Sequence, residues 1–223
     1  MSVSKQAELF GDPYAQLDAN RRRVDLITDA MAARFVEEWH YSNRMPTGFN
    51  VCWDLKLEEV RYAVAVLGIG VNPYQHQVIP LEGLTAKSTW EIKRLCRAEP
   101  KHLELSWFVA QVIHRVRKQW PLIRVLVAFA DPDEGHHGGI YAACNFIRLG
   151  ETNAEWHLED ESGQKRHRRY AFRYARRHNI PLDQARKELA VKRVKTSPKI
   201  RWVYPMNKRD RKMLLASIER RTP

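Results

Sequence analysis

Cysteine is scarce in this chain: Cys52, Cys96 and Cys144 are far apart and form no CxxC pair. An odd, scattered set argues against a disulfide framework or a cysteine-rich zinc site and fits a reducing cytoplasm. Long apolar runs are missing too. No stretch approaches the roughly 20 residues that cross a bilayer, and Met1-Ser2-Val3-Ser4-Lys5 lacks the charged-then-apolar layout of a signal peptide. The expectation is a protein with no membrane partner. Two nucleotide-binding signatures are also absent. There is no GxxxxGKS/T phosphate loop, and Gly68-Ile69-Gly70 has neither a third glycine in place nor a helix pattern after it.

What is present is a real core and an uneven charge. Of the 223 residues 44% are hydrophobic, and seven are tryptophan, too many for a disordered chain. The formal net charge is +12. Residues 165–223 carry 20 Lys+Arg against 4 Asp+Glu, a net of +16, whereas residues 1–164 carry 18 against 22, a net of −4. A near-neutral body with a cationic C-terminal quarter points to a polyanion partner, because neutralising phosphates releases counterions. The division expected from this asymmetry is a core over 1–163 and a basic extension over 164–223.

Periodicity predicts the elements. Ile27, Met31, Phe35 and Trp39 repeat at fourfold spacing, a helix over 25–40 capped by Asp25 or Thr28. Residues 49–55 and 63–71 form a strand pair joined by a hairpin, and 73–87 is irregular. Residues 90–96 alternate as a strand that carries Arg94. Leu105, Phe108, Val109, Val112, Ile113, Val116 and Trp120 mark the best helix in the chain, stopped by Pro121, and the apolar run 123–130 follows at once. A strand, a helix and then a wholly apolar strand argue for β-α-β order and parallel pairing. Further strands are expected at 146–149, 155–159 and 200–204, and helices after Pro181 and Asn207.

Ionisable groups gather where such a sheet binds ligands. Residues 130–150 leave the buried strand at Asp131, cross a loop with Gly135, His136, His137, Gly138 and Gly139, and reach a short helix bearing Tyr141. The carboxyl end of a strand in an open α/β sheet is the usual ligand position. Asp131-Pro132-Asp133-Glu134 lacks the second proline and the base-stacking aromatic of the Asp-Pro-Pro-Tyr phrase of adenine methyltransferases. The His136-His137 pair either holds a metal or bonds the backbone of its own turn. Arg94 sits among apolar neighbours, so it must pair with a carboxylate such as Asp131 or meet an anionic ligand. Ser106 either caps the long helix or contacts a phosphate or pantetheine group at its start.

The order of elements resembles the GNAT acetyltransferase architecture, an α/β fold with a mixed central sheet flanked by helices, here with a basic C-terminal extension. Its usual pyrophosphate loop is missing between Arg97 and Ser106. Individual phrases resemble the Mom family of bacteriophage DNA-modification proteins, divergent members of that superfamily. They are Trp39-His40-Tyr41-Ser42, Ile92-Lys93-Arg94-Leu95, Ser106-Trp107-Phe108, Asp131-Pro132 through Gly139-Ile140-Tyr141 with Asn145-Phe146 and Leu149-Gly150, and Arg201-Trp202-Val203-Tyr204. The resemblance implies conversion of adenine in double-stranded DNA to N6-(carbamoylmethyl)adenine, which hides phage DNA from host restriction enzymes. It implies an active site of His40, Ser42, Arg94, Asp131 and Tyr141, with Ser106 near an acyl-coenzyme A. Simple acetyl transfer does not yield a carbamoylmethyl group, and a redox metal such as iron on His40, Asp131 or Tyr141 is one way to close that gap. Arg166, Arg168, Arg169, Arg173, Arg176 and Arg177 are the expected DNA contacts, and a dimer is compatible with the sequence. The competing readings are an ordinary acyl-CoA N-acyltransferase and a non-catalytic DNA-binding accessory protein.

Overall fold

A computed structural model describes residues 22–70, 72, 74–98, 105–166 and 169–220. The described residues fall into two compact units, one from those within 22–129, 138–149 and 202–220, the other from those within 130–137 and 150–201. The two units interleave along the chain, so residues 150–201 fall in one and 202–220 in the other. Residues 202–205 belong to a strand inside the main sheet, because Trp202 and Val203 are apolar on both faces and are buried there.

The first unit contains β1 (Arg22–Ile27), α1 (Asp29–Trp39), β2 (Val51–Leu57), β3 (Val60–Gly68), β4 (Thr89–Arg97), α2 (Leu105–Gln119) and β5 (Val125–Ala130). It continues with α3 (Gly139–Ala143), β6 (Ile147–Glu151), and, late in the chain, β10 (Ile200–Pro205) and α6 (Lys208–Glu219). The seven strands are ordered β1-β2-β3-β4-β5-β10-β6. The β1-β2, β2-β3 and β3-β4 pairs are antiparallel, while β4 and β5 are parallel, as the β-α-β order requires. This is the mixed α/β sheet flanked by helices that the sequence predicts.

β1 corrects one expectation. The helix begins at Asp29 rather than Asp25, with the Thr28 hydroxyl accepting from the Met31 N–H at 3.3 Å. Residues 22–27 instead pair with β2 from Arg22↔Leu57 to Ile27↔Cys52. β1 is an edge strand of the sheet, with Val24 buried and Ile27 packed on the core beneath α1. Each sheet face has its own cover. Ala32, Phe35 and Val36 of α1 pack on Cys52, Val64, Val66 and Cys96. On the same face Val125, Val127 and Val203 meet Leu214 of α6. The opposite face carries Trp53 and Trp90, both against Trp120 at the end of α2. Asn207 caps α6, its side chain accepting from the Asp210 N–H at 2.8 Å.

The second unit has a three-stranded sheet of order β8-β7-β9, with β7 (Trp156–Glu159) between β8 (Lys165–Arg166) and β9 (Lys192–Lys195). Two helices complete it, α4 (Arg169–His178) and α5 (Leu182–Glu188). Ala171, Ala175 and Ala185 are their buried residues, small enough for close helix packing.

Candidate active site

A one-residue irregularity in β4 shapes the first unit's site. Val66 lies opposite Arg94 but Leu67 lies opposite Ile92, so Lys93 is an extra, bulged residue. In a regular strand Glu91 and Arg94 would point to opposite faces. The bulge resets the alternation, and both join the face of Val64, Val66 and Cys96. Lys93 is buried, its ammonium donating to Thr47 O (3.3 Å), Phe49 O (2.9 Å) and Asn50 Oδ1 (3.0 Å). Burial lowers its pKa. The parallel pairing of β4 with β5 ends at Ile92↔Ala128, although β4 continues to Arg97. The two strands thus part just where Arg94 projects.

Arg94 is half-buried, and burial lowers its pKa, opposed by the nearby Tyr41 and Glu91. Its Nε donates to Arg44 O at 3.1 Å and its Nη1 to Lys93 O at 2.6 Å. The Asp131 carboxylate lies 2.8 Å from Lys199 Nζ, within the second unit.

His40 ends α1 and is buried, its backbone N–H donating to Val36 O. The Ser42 N–H donates to Nδ1 at 3.1 Å, and Ser42 Oγ is 2.9 Å from the same nitrogen. An Nδ1 that accepts a backbone N–H is unprotonated, so the neutral ring carries its proton on Nε2. The ring lies on Tyr41, centroids 4.3 Å apart.

Tyr141 is the buried residue of α3, packed between Phe146 (5.3 Å) and Trp202 (6.5 Å). Its phenol pKa is raised by burial first, then by Tyr41, Glu91 and Cys144 nearby. It therefore stays protonated at neutral pH and is a donor rather than a base. Gly138 caps the start of α3; its φ of +84° suits glycine, and its Cα lies against the Trp202 indole. Ser106 lies in the first turn of α2, its carbonyl accepting from the Cys144 thiol at 3.5 Å. All three cysteines are free and buried, and burial pushes their thiols up, Cys52 and Cys96 to about 12 and Cys144 to about 11. None is an activated nucleophile.

The structure gathers His40, Ser42, Arg94, Tyr141 and Ser106 in the first unit and Asp131 in the second. The carboxylates of the 131–134 loop all serve the second unit. Asp131 meets Lys199 and accepts from the Asp133 N–H at 3.2 Å, Asp133 accepts from the Ser197 N–H at 3.0 Å, and Glu134 meets Lys165 at 2.7 Å. His136 and His137 are exposed. Among the described residues no group of three or more His, Cys, Asp or Glu could hold a metal ion, so nothing in the arrangement supports the iron considered from the sequence. Glu91 is the group that sequence reading missed. It accepts from Gln75 Nε2 at 2.7 Å and acts electrostatically on both Arg94 and Tyr141. Simple alternation places it away from Arg94, and no residue type announces the bulge.

The basic residues are distributed. Arg166 pairs with Asp160 at 3.1 Å and covers the Tyr170 ring at 5.3 Å. Arg169, Arg173, Arg176 and Arg177 are exposed on α4, and Arg168 lies outside the described residues. No helix is long and apolar enough to cross a membrane among the described residues.

No curated protein is similar in sequence to this chain. Among solved structures, AAC(6')-Ib in complex with ribostamycin and coenzyme A is similar at 12% identity and a TM-score of 0.48, covering 86% of this chain and 96% of that one. The dodecameric spermidine N-acetyltransferase from Vibrio cholerae is similar at 10% identity and 0.46, covering 85% and 96%. A Bacillus subtilis acetyltransferase in complex with CoA is similar at 12% identity and 0.42, covering 82% and 98%. Residues 21–222 match the Mom protein family, nearly the whole of the chain. On that match, the chain belongs to the Mom protein family.

Proposed function

We propose that this chain is a transferase that converts adenine in double-stranded DNA to N6-(carbamoylmethyl)adenine and so protects phage DNA from host restriction. The observation that carries the reading is the family match over residues 21–222. The chemistry of the site is compatible with it. The exocyclic amine of adenine is a weak nucleophile, because its lone pair is delocalised into the ring. Forming a bond from N6 to carbon requires that N6 lose one proton. Asp131 is the acceptor that the family resemblance implies; His40, the second base the sequence suggested, has its Nδ1 lone pair taken by the Ser42 N–H and offers its Nε2 proton as a donor instead. The protonated Tyr141 phenol is suited to donate to a leaving group. Arg94 is suited to hold an anionic intermediate or phosphate. An adenine reached in a duplex must leave the stack, and Trp39 and Tyr41 are exposed aromatics able to receive it.

Acyl-coenzyme A fits one feature of this chain, the parting of β4 and β5 beyond Ile92↔Ala128, with α2 following β4 in the chain. Ser106 would lie against it, and the group would supply a two-carbon unit, the amide nitrogen of the carbamoylmethyl group coming from a separate donor. Residues 99–104, where a pyrophosphate loop would fall, lie outside the described residues.

The test is nucleoside mass spectrometry of plasmid DNA from bacteria expressing the full chain. A deoxyadenosine heavier by one carbamoylmethyl group is expected. Unmodified deoxyadenosine from a culture with abundant folded protein refutes the reading. Acetylation of a free amine by the purified chain, with DNA untouched, would favour an ordinary N-acyltransferase instead.

A further inference from the structure

α4 has two unlike faces. Ala171 and Ala175 are buried one turn apart, Ala185 of α5 is buried too, and the Tyr174 hydroxyl is hydrogen-bonded to Glu188 of α5. These contacts fix which side of α4 looks outward. On that side Arg169, Phe172, Arg173 and Arg176 stand at i, i+3, i+4 and i+7, one continuous stripe, with Arg177 beside them. α4 contains four arginines and no carboxylate. In the middle of the stripe Phe172 is 57% exposed.

The combination selects a partner. A phosphate-binding face needs the arginines but has no use for a phenylalanine. A second copy of the same helix would bring like charges together. A lipid surface calls for a broad apolar face, and this one has a single ring. A nucleic acid offers both complements, phosphates at its rim and stacked bases between them. We propose that α4 lies against the DNA, with Arg169, Arg173 and Arg176 on phosphates and Phe172 wedged between neighbouring bases. This inference rests on the DNA-modification reading and extends it to the contacts that the second unit makes with the DNA.

The experiment uses the full chain and a duplex in which 2-aminopurine replaces adenine at successive positions, its fluorescence rising where stacking is lost. The wild type is expected to raise the signal. Phe172→Ala should abolish the rise and weaken binding about tenfold, while leaving the slope of log K against log salt unchanged. Phe172→Leu, still an apolar wedge, should keep most of the rise. The Arg173→Gln/Arg176→Gln pair should reduce the salt slope by roughly 2. A rise that persists in Phe172→Ala, or an unaltered slope in the arginine pair, overturns the inference. So does binding to phosphatidylglycerol vesicles that is tighter than binding to DNA and lost in Phe172→Ala. A wild type that neither binds nor modifies DNA overturns the DNA reading itself. Modification with a 2-aminopurine signal indifferent to Phe172 overturns the wedge alone.

Discussion

Gly138→Ala reports on how Tyr141 is held. Gly138 precedes α3 with a φ of +84°, and a Cβ there would meet Nε1, Cε2 and Cζ2 of the Trp202 indole. Two costs follow. The left-handed backbone disfavours alanine by about 1–2 kcal/mol. Forcing a methyl against a buried ring adds about 1–3 kcal/mol, since Trp202 is only 9% exposed and has little room to retreat. The total of about 2–5 kcal/mol corresponds to a Tm lower by about 4–20 °C for a domain of this size. If the backbone moves rather than the ring, α3 carries Tyr141 with it, and a shift of about 1 Å costs about 100-fold in rate. Thermal denaturation followed by tryptophan fluorescence, with nucleoside analysis of modified DNA, reads both effects. Trp202→Phe separates the two costs. The indole Nε1 is buried with no hydrogen-bond partner among the described residues, so its removal forfeits area but no bond. Joined to Gly138→Ala it should recover the steric part, about 1–3 kcal/mol, and not the backbone part. Strict additivity of the two substitutions, or a Gly138→Ala variant with unchanged Tm, would refute the argument.

Three other outcomes are expected. Tyr141→Phe should bind DNA as the wild type does and lose at least about 100-fold in modification rate, while unimpaired modification would remove Tyr141 from the acid role. Asp210 is buried and accepts from Arg124 Nε (3.0 Å) and Nη2 (2.7 Å), which holds its carboxyl below the usual range, so its stabilisation is complete above the unfolded carboxylate pKa of about 4 and is lost as pH falls through the folded value. Asp210→Asn should cost about 3 kcal/mol at pH 7 and flatten the acid limb of stability in urea titrations; parallel limbs would contradict this. Lys93→Met leaves Thr47 O, Phe49 O and Asn50 Oδ1 without their ammonium donor and should cost about 2 kcal/mol in the same assay, whereas an unchanged midpoint would show that the 47–50 loop holds itself.

Much of the first unit was legible because its signals are local. The apolar repeat from Leu105 to Val116 and the run into Ala130 specify α2 and β5, and their succession after β4 specifies the parallel pair. Thr28 and Asn207 act as caps as their side-chain chemistry predicts. β1 was hidden because its residues adjoin a stronger helical repeat, and Asp25 offered a false cap. Of the site, His40, Ser42 and Tyr141 entered through the family resemblance, and the structure sets His40 against Ser42 and Tyr141 on a short helix. Glu91 was not legible, because strand alternation is a rule of two and a single bulged residue inverts it. The carboxylates of residues 131–134 looked like one wall of a pocket. Their partners are Lys199, the Ser197 backbone and Lys165, far away in the chain and invisible to spacing.

Composition and periodicity settled the α/β class, the parallel β4-β5 pair and the cationic C-terminal quarter, since each is an average over many residues or a pattern within one element. Chain folding settled how that cationic quarter is divided. β10 and α6 close the first unit because Trp202, Val203 and Leu214 need a sheet and a helix to bury them, while α4 turns its arginines outward because Ala171 and Ala175 turn in. It also settled which of the ionisable residues are held apart and which share a face, because that depends on register and on partners brought from distant segments.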